Sequence, residues 1–138
     1  GQIGTAPNLV APEKRPLSSM SPTIVAQDGK PVFAIGSPGG KTIINTTMQV
    51  ILNVIDHGFN IAQAIEAGRI HHQWLPDEIR MEPNSFSPKV KEKLKKLGYI
   101  IDETNSPVIG KVDGILVLPN GTLEGGADRR GDDTAVGF

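Results

Sequence analysis

An α+β fold is predicted by three features of this 138-residue chain: one glycine-rich elbow and two hairpin signals. Residues 32–57 read VFAIGSPGGKTIINTTMQVILNVIDH, passing from an apolar run through Gly36-Ser37-Pro38-Gly39-Gly40 into a segment of helical periodicity. Ile43, Ile44, Thr47, Ile51, Val54 and Ile55 recur at three- and four-residue steps, which predicts strand, tight turn, and a helix with one largely apolar face. Asp28-Gly29, set between β-favouring runs at 22–26 and 31–35, marks the first hairpin. Pro119-Asn120-Gly121, between 114–118 and 122–126, marks the second. The apolar run 114–118 suits a sheet centre or a strand beneath helices. At 14.7 kDa, residues 1–138 are read as one domain.

The remaining elements follow in order. Residues 1–14 lack a sustained period and read as extended or looping chain, with Asn8 to Val10 as a surface contact. Residues 14–22 hold Pro16 and Pro22, which restrict the backbone, beside Lys14, Arg15, Ser18, Ser19 and Ser21. Gly58 is the expected helix stop. Asn60 opens a second helix with Gln63 at the capping-box position and Gly68 at its end. Residues 69–80, with Arg69, His71, His72, Trp74, Asp77 and Glu78, are either an active-site wall or a polar bridge between elements. A short strand is expected at 79–82. Ser87 and Pro88 fit the N-cap and first position of a third helix, with Val90, Leu94 and Leu97 as its buried side, Glu92 and Lys96 paired across one turn, and Gly98 at its end. Further strands are expected at 99–101 and 108–109. The tail from Ala127 mixes charge and glycine, with Phe138 as a docking contact.

Composition removes several functions. Lysine plus arginine is 14 and aspartate plus glutamate is 15, a formal charge of -1, which gives no nucleic-acid footprint. The lysines of 89–96 read as a solvated helix face. With no cysteine, disulfides, thiolate nucleophiles and cysteine metal sites are excluded. No long apolar run suits a membrane span, and the start lacks the basic and apolar pattern of a leader. The chain opens on Gly1 rather than methionine, so a part of a larger folding unit is expected.

Three chemistries compete for the elbow. Gly36-Ser37-Pro38-Gly39-Gly40-Lys41-Thr42 is near a phosphate-binding loop, but that motif needs four residues between its first glycine and Gly-Lys-Thr, and the required position holds Ile35. A hairpin is also the wrong prelude to a parallel α/β domain. A metal site built from His71 or His72 with Asp77 and Asp128 lacks a recognisable ligand spacing, and Asp128, Asp132 and Asp133 do not match a calcium loop. His57 at a helix terminus reads as a cap or interface residue. In the third reading Gly39 and Gly40 expose backbone N–H groups to the oxygen of a tetrahedral intermediate, while Ser18 and Ser19 bind a substrate carboxylate, for acyl transfer from a carboxamide. That reading lacks a nucleophile, so a non-catalytic binding or structural module stays open beside it.

Residues 14–24 (KRPLSSMSPTI), 36–40 (GSPGG), 53–58 (NVIDHG), 69–78 (RIHHQWLPDE) and 127–130 (ADRR) resemble, in fixed order, the gamma-glutamyltranspeptidase family, in the C-terminal part of its small catalytic subunit. The resemblance implies an N-terminal nucleophile hydrolase with an αββα sandwich, of which this chain forms only part. It also implies a self-cleaving proenzyme that exposes a threonine, whose hydroxyl attacks gamma-glutamyl amides and passes the acyl group to water or an amine. Ser18 and Ser19 match the pair that holds the glutamyl α-carboxylate, Gly39 and Gly40 match the oxyanion-hole glycines, and Lys14 and Arg15 take a structural or general electrostatic role. The partners implied are the large subunit, the N-terminal part of the small subunit, glutathione or another gamma-glutamyl compound, and an amino-acid or peptide acceptor. No cofactor, metal or nucleic acid is implied, and the compartment is the periplasm or the exterior. The nucleophile is expected before Gly1; neither Thr5 nor Thr42 inherits its role, and the isolated chain is expected to be inactive. Gly68 stands where the family often has proline, and Arg129 interrupts a common Asp-Pro-Arg. An inactive homologue, a polyglutamate-cleaving enzyme and a cephalosporin-type acylase are the alternatives, the last disfavoured because Ser18 and Ser19 suit a small carboxylate.

Overall fold

A computed structural model describes residues 5–137, so the contact expected of Phe138 lies outside the described residues. Asp28 (φ 52°) and Gly29 (φ 75°) both take positive φ, the two-residue turn whose twist matches that of the strands it joins. They link β1 (Thr23–Gln27) to β2 (Lys30–Gly36). The second hairpin pairs β6 (Asp113–Val117) with β7 (Leu123–Gly126), closed by Leu118 N–H on Thr122 O at 2.8 Å. The two hairpins join through β2 and β6 into one antiparallel sheet of order β1-β2-β6-β7.

Strand alternation gives this sheet two unlike faces. The row Val25–Phe33–Leu116 points to the helical layer, while the paired row Ile24–Ala34–Ile115–Gly125 points the other way and is exposed. The helical layer is α1 (Ile43–Ile55) and α2 (Ile61–Glu66), the latter opened by the expected reciprocal cap of Asn60 and Gln63. Phe33, Ile35, Val50, Ile61, Ala64, Ile65 and Val112 close the core between the layers. A β-carbon on Gly126 would lie 2.7 Å from Ile65 Cδ1, so α2 rests directly on the sheet.

The apolar face of α1 differs from expectation. Ile43, Thr46, Thr47 and Val50 are buried, whereas Ile44 is 62% and Ile55 58% exposed. The helix is apolar on two sides, and the sheet covers only one; Ile44, Met48, Leu52 and Ile55 form a second, outward stripe.

A smaller sheet of order β3-β4-β5 holds β3 (Ile70–His71), β4 (Ile79–Met81) and β5 (Ile101–Asp102). The parallel β4–β5 pair is connected through α3 (Pro88–Lys96), which Ser87 caps as expected by accepting from Val90 N–H at 3.3 Å. Glu92 and Lys96 pair at 2.8 Å. The expected buried side of α3 is a correction: no residue of the helix is fully buried, Leu94 is half-buried, and Val90 and Leu97 are 44% and 67% exposed. Val108–Ile109 is also no strand, since its peptide groups bond to charged side chains rather than to a neighbouring strand.

Those side chains form the buried polar centre of the molecule. Arg69, 1% exposed, donates from Nη2 to Asp128 Oδ2 at 2.7 Å. Arg130 donates from Nη1 to Asp128 Oδ1 at 3.1 Å and grips Glu82 with Nε and Nη2 at 2.7 and 2.6 Å. Two cations thus face two anions. Leftover donors satisfy the last turn of α2, with Arg69 Nη2 on Ile65 O at 2.6 Å and Arg130 Nη2 on Ala67 O at 3.2 Å. Burial pushes the Asp128 carboxyl up, but the hydrogen bond from Arg130 N–H and the contact with Arg69 outweigh it, so its pKa lies below the ordinary carboxylate value.

Removing one partner of such a group strands the other charges away from water. Asp128→Asn is therefore expected to destabilise the protein by about 3–5 kcal/mol in urea unfolding; a loss below about 1 kcal/mol would show that the cluster does not hold the fold. Because the folded pKa is depressed, the contribution of Asp128 is fully present above the unfolded value of about 4 and lost as pH falls through the folded one. The acid limb of the stability profile should flatten in Asp128→Asn.

Candidate functional site

The glycine elbow leaves the end of β2 and enters α1 through a short 3-10 turn, Gly40–Thr42. Gly39 takes φ 145° and Gly40 φ 57°, and a β-carbon on Gly39 would sit 2.6 Å from Thr42 Oγ1. Glycine is thus required at 39 both by conformation and by space. Gly39 O points inward, accepting from Thr42 N–H at 3.2 Å and from Thr42 Oγ1 at 3.0 Å. Pro38 O likewise accepts from Ser37 Oγ at 2.9 Å and Lys111 N–H at 3.3 Å. Among the described residues neither Gly39 N–H nor Gly40 N–H donates to a protein acceptor. Two adjacent exposed donors at the start of a helical run offer positive potential without any proton to lose.

Beside them lies a hollow of about 350 Å³, lined by Pro38, Gly39, Thr42, Val108, Gly110 and Lys111. Lys41 is exposed on the elbow. Its charge reaches buried His71, whose pKa is lowered chiefly by burial, against a hydrogen bond to Gln73 at 2.8 Å that opposes the change. Burial thus favours the neutral form of His71, a packed residue of β3.

Ser18 and Ser19 stand five and four positions before β1. The pairing of Thr23 with Ile35 places the start of β1 beside the end of β2, so the serine segment and the elbow leave the same end of one ribbon. No hydrogen bond joins the two groups. Ser18 Oγ accepts from Met20 N–H at 3.2 Å, and Ser19 offers its carbonyl to Ser21 Oγ at 3.1 Å, which leaves the Ser19 hydroxyl free of these local bonds. Lys14 donates to Pro7 O and to Leu9 O.

Asp128, His72 and Asp77, considered from the sequence as metal ligands, are otherwise engaged. Asp128 is committed to two arginines, His72 and Asp77 pair with each other at 3.0 Å, and no three His, Asp or Glu side chains converge among the described residues. Residues 69–80 run from the ionic centre through β3 to an exposed Trp74. The supporting parts that sequence reasoning missed are Glu82, Arg130 and the segment 109–112. The one local signal was an arginine following Gly68 at a helix end, where cations satisfy carbonyls. Gly68 itself abuts the side chain of Ser85, so the proline common at this place in the family would need that serine moved.

The family model described as Gamma-glutamyltranspeptidase matches residues 2–138. The chain is 47% identical over its whole length to a glutathione hydrolase proenzyme of Escherichia coli (strain K12), of which it spans 23%. Among solved structures it is similar to the T380A mutant of the Helicobacter pylori gamma-glutamyltranspeptidase, with a TM-score of 0.86 and 48% identity over 95% of this chain and 71% of that one. It is also similar to the Pseudomonas nitroreducens gamma-glutamyltranspeptidase complexed with L-DON, with a TM-score of 0.85 and 36% identity over 100% of this chain and 72% of that one. The architecture is thus α+β, of the N-terminal nucleophile hydrolase type. Matched from end to end by that model, and carrying the Gly39-Gly40 elbow on the matching fold, the chain belongs to the gamma-glutamyltranspeptidase family.

Proposed function

We propose that this chain is part of a gamma-glutamyltransferase, or glutathione hydrolase, and that it supplies the oxyanion elbow and the carboxylate-binding serines of the donor site. The observation that carries the reading is the pair of peptide units at Pro38–Gly39 and Gly39–Gly40, whose carbonyls are bound inside while their N–H groups are left unengaged. In the reaction a threonine hydroxyl from the segment preceding this one attacks the gamma-carbonyl carbon. As the new C–O bond forms, the carbonyl electron pair moves to oxygen, which Gly39 and Gly40 N–H stabilise. Collapse expels the amine, which takes the proton received by the threonine amino group, and leaves a gamma-glutamyl ester. Water or an acceptor amine then repeats the addition and frees the threonine. Ser18 and Ser19 donate to the α-carboxylate and so fix the gamma-carbonyl over the elbow.

The partners are the rest of the small subunit and a large subunit. Two uncovered apolar surfaces support this reading: the Ile24–Ala34–Ile115 sheet face and the outer stripe of α1. The proposed setting, periplasmic or extracellular, rests on the family resemblance alone. Glutathione or another gamma-glutamyl compound is the donor, and no cofactor takes part.

In the assembled protein assayed with a gamma-glutamyl anilide, Gly39→Ala is expected to lower kcat by about 10²–10³, the loss seen when one oxyanion donor is withdrawn. Gly40→Ala, whose β-carbon meets open space, should cost about tenfold or less, reflecting only the left-handed backbone. Unchanged kcat in Gly39→Ala would rule out the elbow as the oxyanion site. Ser18→Ala and Ser19→Ala should each raise KM for the donor by roughly tenfold or more, the worth of a hydrogen bond to a charged group. Equal loss on a donor lacking the α-carboxylate would remove the serines from that role.

A further inference from the structure

We infer that residues 109–112 form a strap that aims the Gly39 N–H, with Gly110 and Arg69 as positioning residues acting through it. This rests on the oxyanion reading of the elbow. A peptide unit is planar and trans, so its carbonyl and its N–H point in opposite directions. The N–H of Gly39 belongs to the same unit as Pro38 O, and Pro38 O accepts from Lys111 N–H at 3.3 Å. Holding that carbonyl on the strap therefore sets the direction of the donor on the other edge of the plane.

The strap is itself held at five of its peptide N–H and C=O groups. Ile109 N–H donates to Glu82 Oε1 at 2.9 Å, and Val112 N–H donates to Asp128 Oδ2 at 2.9 Å. Ile109 O and Gly110 O accept from Arg69 Nη1 at 3.1 and 3.0 Å. Lys111 N–H is the group between these anchors that turns toward the elbow. Gly110 is wedged on both sides: its Cα would lie 3.2 Å from a β-carbon on Gly39, and a β-carbon of its own would lie 2.6 Å from Thr46 Oγ1 and 3.1 Å from Thr46 Cγ2. With φ 65° as well, position 110 accepts glycine and little else. The buried ions thus reach the elbow through four residues of backbone, without touching substrate.

The test measures acylation under single turnover, with the assembled enzyme in excess over a gamma-glutamyl anilide, because that rate constant counts only competent molecules. Donor affinity comes from its concentration dependence. Gly110→Ala is expected to slow acylation about ten- to a hundredfold, the scale of a small misplacement of a reacting group, with ground-state affinity changed less than twofold. Adding Thr46→Ala, which removes the Oγ1 and Cγ2 that the new methyl would meet, should recover part of the loss, the positive φ remaining. Arg69→Lys keeps the charge but cannot span two carbonyls and Asp128, so it should slow acylation about tenfold, again without weakening affinity. The inference is overturned if Gly110→Ala and Arg69→Lys acylate within threefold of the parent, or if affinity falls as much as rate. Should Gly110→Ala not fold, Arg69→Lys and the Gly110→Ala/Thr46→Ala pair are read by the same criterion. Gly39→Ala separates the two ideas: a slow Gly39→Ala with normal strap variants sinks this inference alone, and a normal Gly39→Ala sinks the oxyanion reading beneath it.

Discussion

The buried pairing of Arg69 with Asp128 is the constraint on which the rest of this structure depends. Charges taken from water are tolerated only when each is paired and its remaining donors and acceptors are satisfied. Here Arg130 and Glu82 complete the balance, and the surplus donors, Arg69 Nε apart, are spread over the end of α2 and the segment 109–112. Satisfying the charges and fixing the backbone are the same act. A hydrophobic replacement of similar volume could fill the space, but it would leave those carbonyls without partners.

The same logic of paired peptide groups explains why an elbow of small residues is definite in shape. Gly39 and Gly40 have no side chains to lock them, and free glycines cost conformational entropy. Their order is imposed from behind, by Thr42 on Gly39 O and by Ser37 and Lys111 on Pro38 O. The antiparallel hairpin adds direction, because β2 ends beside the start of β1 and brings the serine segment to the same edge. Elbow and serine segment therefore leave the same end of one ribbon while lying about twenty residues apart in the chain.

The parts legible in the sequence were those encoded by neighbours in the chain. Asp28-Gly29 specifies a turn, Asn60 with Gln63 a cap, and Ser87-Pro88 a helix start, and each is found where local chemistry put it. Periodicity identified the apolar sides of α1 and α3 but could not say which of them meets another element; Ile44, Ile55 and Leu97 are exposed for that reason. The ionic centre was illegible because Arg69 meets Asp128 from 59 positions away and Arg130 meets Ile65 from 65. Val108 and Ile109 have the composition of a strand, yet the groups that bind this segment lie on Arg69 and Glu82. Ser18 and Ser19 look like any serine-rich loop, and only the family resemblance singled them out.

The long reach of the Arg69 contacts also fixes an order of events during folding. Both hairpins and all three helices are closed by contacts between near neighbours, which form fast and early. The strap is not fully held until Asp128 has taken Val112 N–H and Arg130 has paired with Glu82 and Asp128, and these two residues follow in the chain all the other parts that hold it. Full bracing of the strap therefore comes late in assembly, because Asp128 and Arg130 follow in the chain every group that they brace.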